Sequence, residues 1–267
     1  MASRHQALEM LARGEVVVGG TVADKASRLV AESESIVIVS PSRFVSRGGE
    51  KLDAALERFG LDMAGRRCLD VGASTGGFTD CLLQRGAATV VALDVGYGQL
   101  HPRLRADRRV EVRERTNIRL VGAEPGSELG RFDMVSADLS FISLTLVVPV
   151  LVEALASAEA DLVVLVKPQF EVGRREASRG RGVVSDPQLR RRALGDVASA
   201  LLGAGATIMG AMASPVLGPA GNAEFLLWAR RGSTAGHDAE ALARILDDAV
   251  ADAPDARTGT GTGTGES

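Results

Sequence analysis

From residue 67 onward, short apolar runs alternate with longer stretches in which apolar residues recur every three or four positions. The runs Arg67–Val71, Thr89–Leu93, Val110–Val112, Phe132–Ala137, Asp161–Val166, Thr207–Met212 and Glu224–Ala229 predict strands. Helices are predicted between most of them, notably at Gly77–Arg85, Leu144–Ala156 and Pro187–Leu202. Ahead of the first strand, Leu52, Ala55, Leu56 and Phe59 mark a helix that opens at Lys51. Short apolar strands alternating with helices imply an α/β fold whose sheet is mainly parallel and covered on both faces.

The first 40 residues read differently. Arg4 to Leu11 forms a short amphipathic pattern, Gly14 to Gly20 a strand and a tight turn, and Ile36 to Val39 a second strand closed by Pro41. A unit of this size, below ~40 residues, rarely holds a core alone. The expected layout is a small α+β domain over 1–40, a linker over 41–50, a large domain over 51–232 and a tail over 233–267. That tail carries one helix, Ala239–Val250, and a Thr-Gly repeat that has nothing to bury and is expected to be disordered.

Composition narrows the classes. Of 267 residues 45% are hydrophobic, enough for a sizeable core, and a net charge of -3 argues against wholesale electrostatic binding to nucleic acid. The longest apolar stretch, Leu144–Val152, falls far short of the ~18 residues of a membrane span. Cys68 and Cys81 fit no metal or disulfide spacing, as expected of a reducing, cytoplasmic protein. Lys25, Lys51 and Lys167 are the only lysines among 31 basic residues. In so arginine-rich a chain, a lysine is a candidate for proton chemistry that arginine is too basic to perform.

The strand ending Asp70-Val71 runs into Gly72-Ala73-Ser74-Thr75-Gly76-Gly77, with Phe78 at the start of a helix. Glycines there let the backbone turn sharply and approach a ligand, and a helix N-terminus offers free N–H groups. The next strand ends in Asp94, placed to accept hydrogen bonds from ribose hydroxyls. The Gly-x-x-x-Gly-Gly spacing differs from the Gly-x-Gly-x-x-Gly of NAD sites, and Asp70 suits a cofactor with an ammonium group. S-adenosylmethionine is the expected ligand, with NAD or a ligand-free packing turn as alternatives. Its candidate contacts are Asp70, Gly72, Ala73, Ser74, Gly76, Gly77, Phe78, Asp94, Asn117 and Asp138.

Four more polar residues fall at element ends: Lys51, Asp138 within Ala137-Asp138-Leu139-Ser140-Phe141, Lys167 within Val166-Lys167-Pro168-Gln169-Phe170-Glu171, and Glu224. Ligands of open α/β sheets bind beyond the carboxyl ends of the strands, where Asp138 and Lys167 lie. Glu224 shares that edge only if the last strand is antiparallel. Two lysines and two carboxylates suit deprotonation of a weakly acidic hydroxyl, with Lys167 as base and Lys51 tuning it. Solvated or loop-capping roles for Lys51, Asp138 and Glu224 are the alternatives.

Ser46-Arg47-Gly48-Gly49-Glu50-Lys51-Leu52, the segment Leu69 to Thr79, Asp94 to Leu100, Ala137 to Ser143 and Val166 to Glu171 together resemble the TlyA family of ribosomal RNA methyltransferases. The resemblance runs from about Ser3 to Trp228. It implies an FtsJ-like, Rossmann-like class I methyltransferase sheet, mostly parallel with the last strand antiparallel, behind a truncated S4-type RNA-binding domain. It further implies 2′-O-methylation of a cytidine in rRNA by a Lys-Asp-Lys-Glu tetrad matching Lys51, Asp138, Lys167 and Glu224. A helix that precedes Ser3 in longer members is absent, so the resemblance implies the shorter subtype, acting on 23S rRNA only; a dual 16S/23S enzyme is the alternative.

The partner is then rRNA or a ribosomal subunit, with no membrane and no metal. Two arginine clusters, seven residues between Arg103 and Arg119 and seven between Arg174 and Arg192, offset the acidic average. The second follows Lys167 and is placed to meet phosphates. RNA contacts are expected at Arg4, Arg13, Arg47, Arg174, Arg175, Arg179 and Arg181, and base stacking at Tyr97, Phe141 or Phe170, while Trp228 is expected in the core. A membrane-lytic protein and a non-catalytic RNA-binding assembly factor are competing readings.

Overall fold

A computed structural model describes residues 7, 10–11, 14–23, 25–38, 43–121, 129–173, 176 and 182–254. The chain divides into two compact units, Met1–Arg43 and Phe44–Ser267. The second unit thus begins inside the expected linker, because Phe44 is already buried in its core. The helix at Arg4–Leu11 and the Thr-Gly repeat lie largely outside the described residues.

In the first unit β1 (Val16–Val18) pairs antiparallel with both β2 (Thr21–Val22) and β3 (Ile36–Ile38), in the order β2-β1-β3. Gly19, at φ +58, makes the turn between β1 and β2. Val18 and Ala23 are its buried apolar side chains among the described residues, a thin core for three strands.

The second unit is a seven-stranded sheet. Its strands are β4 (Arg67–Val71), β5 (Thr89–Leu93), β6 (Val110–Arg113), β7 (Phe132–Ala137), β8 (Ala156–Val166), β9 (Ala206–Ala213) and β10 (Phe225–Arg231), in the order β6-β5-β4-β7-β8-β10-β9. β4 to β8 run parallel, and β10 enters between β8 and β9 antiparallel to both. The central strands are mostly apolar because both faces are covered, with Asp70 of β4 and Ser136 of β7 as buried polar exceptions. One face packs on α1 (Gly48–Arg58) and α2 (Gly77–Gln84) through Leu52, Leu56, Leu82 and Met134. The other packs on α5 (Pro187–Gly203) and α6 (Ala239–Ala251) through Leu194, Leu201 and Leu246. Two four-residue helices, α3 (Pro102–Arg105) and α4 (Pro168–Glu171), complete the set used below.

The largest departure from the sequence pattern is at Leu144–Ala156, expected as one α-helix. A 3₁₀ turn at Leu144–Leu146 is followed by a π-helical turn at Val150–Leu155, after which β8 starts at once. Pro149 supplies no N–H for the i→i−4 ladder, so the regular helix is interrupted there. β8 is also longer than expected, because Ser157 and Glu159 extend it beyond the covered region. Far from the glycine loop, midway along β8, Asp161 accepts from Arg66, Arg230 and the Trp228 indole at 2.7–2.9 Å. Trp228 is part-buried, its ring 5.5 Å from Phe59.

Candidate active site

Beyond the carboxyl end of β4 the chain turns through Gly72 (φ +84), Ser74 (φ +50) and Gly76 (φ +98) before entering α2. Gly72 is required by proximity as well as by φ. A Cβ there would lie 2.3 Å from the Asp138 carbonyl oxygen. The loop is tied to the next strand: Gly72 and Ala73 N–H donate to the Leu93 carbonyl at 2.8 and 3.1 Å. Asp94 accepts from Ser74 N–H at 2.7 Å and from Gly96 N–H at 2.6 Å, so both of its oxygens brace the loop and keep further lone pairs for a ligand. Gln99, which the sequence did not single out, accepts from the Ser74 hydroxyl at 3.2 Å.

These groups enclose a cavity of about 490 Å³ walled by Gly72, Ser74, Asp94, Val95, Gln99, Thr116, Asn117, Ile118, Asp138 and Phe141. That is within the size range of small-molecule sites. Its composition fits a nucleoside with a short polar tail: the Asp94 carboxylate and Asn117 amide suit ligand hydroxyls, and apolar Val95 and Ile118 suit a flat ring. Asp70 does not reach this wall. It is fully buried beneath the loop, accepting from the Thr79 hydroxyl at 2.6 Å, with its other oxygen unpartnered. The Thr79 contact pins the loop to α2. Burial pushes the Asp70 carboxyl up to about 7, reinforced by Asp138 and Asp94 and opposed by Thr79.

A second pocket of about 200 Å³ lies alongside, lined by Arg47, Lys51, Ala73, Gly77, Phe78 and Pro219, and it shares Gly72, Ser74 and Asp138 with the first. Of the four candidate catalytic groups Lys51 and Asp138 line this pocket, and each is paired with one of the other two. Lys51 Nζ donates to Glu224 Oε2 at 2.5 Å, with both side chains buried. Lys167 Nζ lies 2.5 Å from Asp138 Oδ1 and donates to the Ser140 hydroxyl at 3.1 Å. Glu224 reaches this edge because β10 is reversed, and Gly218 makes room for it, since a Cβ there would be 2.4 Å from its Oε1. Lys51 is thus matched by its own carboxylate.

The arginine clusters separate. Arg103, Arg105, Arg109 and Arg113 pair with Asp80, Glu114, Asp107 and Glu111 at 2.5–2.8 Å, which neutralises much of the first. Arg115 instead covers the exposed Tyr97 ring, 4.2 Å from its centroid. In the second, Arg190 is buried against the Val184 carbonyl, Arg191 pairs with Asp247, and Arg192 with Glu176. Arg4, Arg13, Arg174, Arg175, Arg179 and Arg181 lie outside the described residues, and Arg47 is exposed at the smaller pocket. Phe141 stands 92% exposed at φ +66 with its ring 5.2 Å from Phe170. Cys68 and Cys81 are buried and unbonded to each other. A larger cavity of about 670 Å³ between α5 and α6 gathers no comparable set of groups. No helix among the described residues is long and apolar enough to cross a membrane.

A mostly parallel seven-stranded sheet with one reversed strand, and a glycine turn bracing a nucleoside-sized cavity at its carboxyl edge, define a Rossmann-like methyltransferase. Residues 44–231 match the FtsJ-like methyltransferase family. The chain is 50% identical over 254 residues to the 16S/23S rRNA (cytidine-2′-O)-methyltransferase TlyA of Mycobacterium tuberculosis, covering 94% of this chain and 93% of that one. It is 34% identical to the 23S rRNA (cytidine-2′-O)-methyltransferase TlyA of Campylobacter jejuni, covering 69% and 70%. A solved structure from Streptococcus thermophilus, described as a candidate hemolysin, superposes with a TM-score of 0.74 at 36% identity, covering 94% of this chain and 90% of that one. The chain belongs to the TlyA family of FtsJ-like methyltransferases.

Proposed function

We propose that this protein methylates the ribose 2′-hydroxyl of a cytidine in ribosomal RNA, using S-adenosylmethionine. The observation that carries the reading is the common wall of the two pockets. Gly72, Ser74 and Asp138 line both, so a donor in the larger and a ribose in the smaller would meet at Asp138, beside Lys167. Asp94 and Asn117 would hold the nucleoside part, and Ser74 with the Gly72–Gly77 backbone its polar tail. Gly76 and Phe78 shape the turn, and Asp70 holds it from below.

The bound cofactor supplies an electrophilic methyl group on a sulfonium. Lys167 Nζ would accept the hydroxyl proton as the ribose oxygen takes the methyl group. Asp138 orients the Lys167 side chain, and the Lys51–Glu224 pair supports the acceptor side. Much of the rate then comes from alignment of oxygen and methyl group.

Arg47 at the pocket mouth, with Arg4, Arg13, Arg174, Arg175, Arg179 and Arg181, would meet phosphates, residues 1–40 acting as an S4-type RNA-binding module. The Phe141–Phe170 pair offers a face on which an unstacked base could rest. Such a substrate would place the protein in the cytoplasm with ribosomal subunits. Modification of 23S rRNA alone is one reading of target range. Dual 16S/23S action is favoured by the higher identity to the relative so named, 50% against 34%.

The test is methyl transfer to isolated 30S and 50S subunits and to their naked RNAs, with ribose methylation mapped. Lys167→Ala should abolish transfer while S-adenosylhomocysteine still binds. Undiminished transfer by that variant would sink the assigned base.

A further inference from the structure

The segment that begins at Lys167 and the loop that begins at Asp138 touch at several successive points. Lys167 meets Asp138 and Ser140, the Phe170 ring meets Phe141, and Glu171 meets Ser143 and Leu144. The last contact is the most closely specified. Glu171 Oε2 accepts from the Ser143 hydroxyl at 2.5 Å, and Oε1 accepts from the Leu144 N–H at 2.9 Å. Ser143 in turn accepts from the Thr145 N–H at 3.2 Å, closing the 3₁₀ turn that ends the loop. Both oxygens of a half-buried carboxyl are therefore spent on one neighbouring segment, and Glu171 lines neither pocket. Burial pushes this carboxyl above its ordinary range against the pull of its two donors, so the placement is costly for the fold to keep.

The geometry points to Glu171 as a positioning residue for methyl transfer: it fixes the register of the Lys167 segment against the Asp138 loop. The assignment rests on the methyl-transfer reading above. Without the tie, α4 is only four residues long and the loop contains Phe141 in a left-handed conformation. The remaining ties, Lys167 to Asp138 and Ser140 and the Phe141–Phe170 contact, lie at the near end of the segment. Loss of Glu171 would therefore loosen its far end and the alignment of Lys167 Nζ with the ribose oxygen. Misplacement by about 1 Å is enough to cost ~100-fold in rate.

The experiment compares Glu171→Ala, Glu171→Gln and Ser143→Ala with Lys167→Ala in the full chain. It reads kcat, KM for subunit RNA, S-adenosylhomocysteine affinity and Tm. Glu171→Ala should lower kcat by roughly 30–100-fold with KM and affinity changed less than about twofold. Glu171→Gln, whose amide can still accept from Leu144 and donate to the Ser143 oxygen, should restore kcat to within about fivefold of the native value. Ser143→Ala keeps the Leu144 contact and should fall between them, and it carries the test if Glu171→Ala does not fold.

Native kcat in Glu171→Ala, or equal loss in the Ala and Gln variants, overturns the proposal. So does a loss of kcat matched by parallel loss of affinity and Tm, which would mark Glu171 as a general support of the fold. Full transfer by Lys167→Ala would overturn the base assignment itself, and the positioning role with it. Loss in Lys167→Ala beside native kcat in Glu171→Ala removes the positioning role alone.

Discussion

Replacing Gly72 with Ala adds one methyl group at the point where cofactor loop and catalytic loop are closest. The new Cβ would lie 2.3 Å from the Asp138 carbonyl oxygen and 3.0 Å from its carbon. An ordinary C···O contact needs about 3.3 Å, so one backbone must retreat by roughly 1 Å. Asp138 resists, because its N–H donates to the Val71 carbonyl at 2.9 Å and its carboxylate meets Lys167. A non-glycine residue at φ +84 adds about 1–2 kcal/mol. The expected total is a loss of about 2–3 kcal/mol, seen as a fall in Tm of roughly 4–12 °C. Displacement of Asp138 should lower kcat by about 100-fold and weaken S-adenosylhomocysteine binding. Gly65→Ala is the control, since Gly65 also has positive φ but open space where its Cβ would be. It should show the backbone cost alone and native kcat. Calorimetry, thermal melts and methyl transfer on both variants decide the matter. If Gly72→Ala melts and turns over like Gly65→Ala, the close approach of the two loops is not what the site depends on.

The buried Lys51–Glu224 pair should cost about 3–5 kcal/mol when one partner alone is replaced, as in Lys51→Met, by urea denaturation. Lys51→Met combined with Glu224→Leu should recover most of that stability and none of the activity. For Asp70, whose carboxyl is raised from 3.8 to about 7, the folded state holds a proton that the unfolded chain releases. The resulting stability is complete below pH 3.8 and disappears as pH rises through 7. Asp70→Asn should therefore gain on the native protein between pH 4 and 8 by roughly 4 kcal/mol, levelling off at the upper end. A difference independent of pH would show that this carboxyl ionises normally. Asp161→Asn should lower stability by about 3–5 kcal/mol through Arg66, Arg230 and Trp228 while leaving S-adenosylhomocysteine affinity unchanged. Altered affinity would show that the two ends of the sheet are coupled.

Features set by local chemistry were readable in the sequence. Apolar runs such as Val163–Val166 mark strands buried on both faces, and a lysine directly after such a run has few places to go but the sheet edge. The glycine turn was legible for the same reason, since the φ values and close contacts at Gly72 and Gly76 favour glycine. Pairing was not legible. Lys51 and Glu224 are 173 residues apart, and only the insertion of β10 between β8 and β9 brings them together. Asp70 looked like a ligand because it precedes the glycine turn. Strand alternation turns its side chain beneath the loop, where Thr79 is the nearest donor. The acids beside the first arginine cluster were visible, yet which arginines they neutralise follows from the turns around β6. Glu171 and Gln99 sat within recognised motifs, but nothing local distinguishes a carboxylate that reaches across to another loop.

The reversed strand β10 also has a consequence for synthesis. Chains grow from the N-terminus, and β8 and β9 are complete by Ala213, yet they do not pair with each other. A nascent chain ending there lacks the strand whose slot lies between them, leaving an edge of β8 unsatisfied and β9 with no strand to pair with. Emergence of Phe225–Arg231 fills the slot and, in the same motion, delivers Glu224 to Lys51. The sheet thus becomes continuous at the same step that gives Lys51 its carboxylate, and a chain interrupted earlier has neither property.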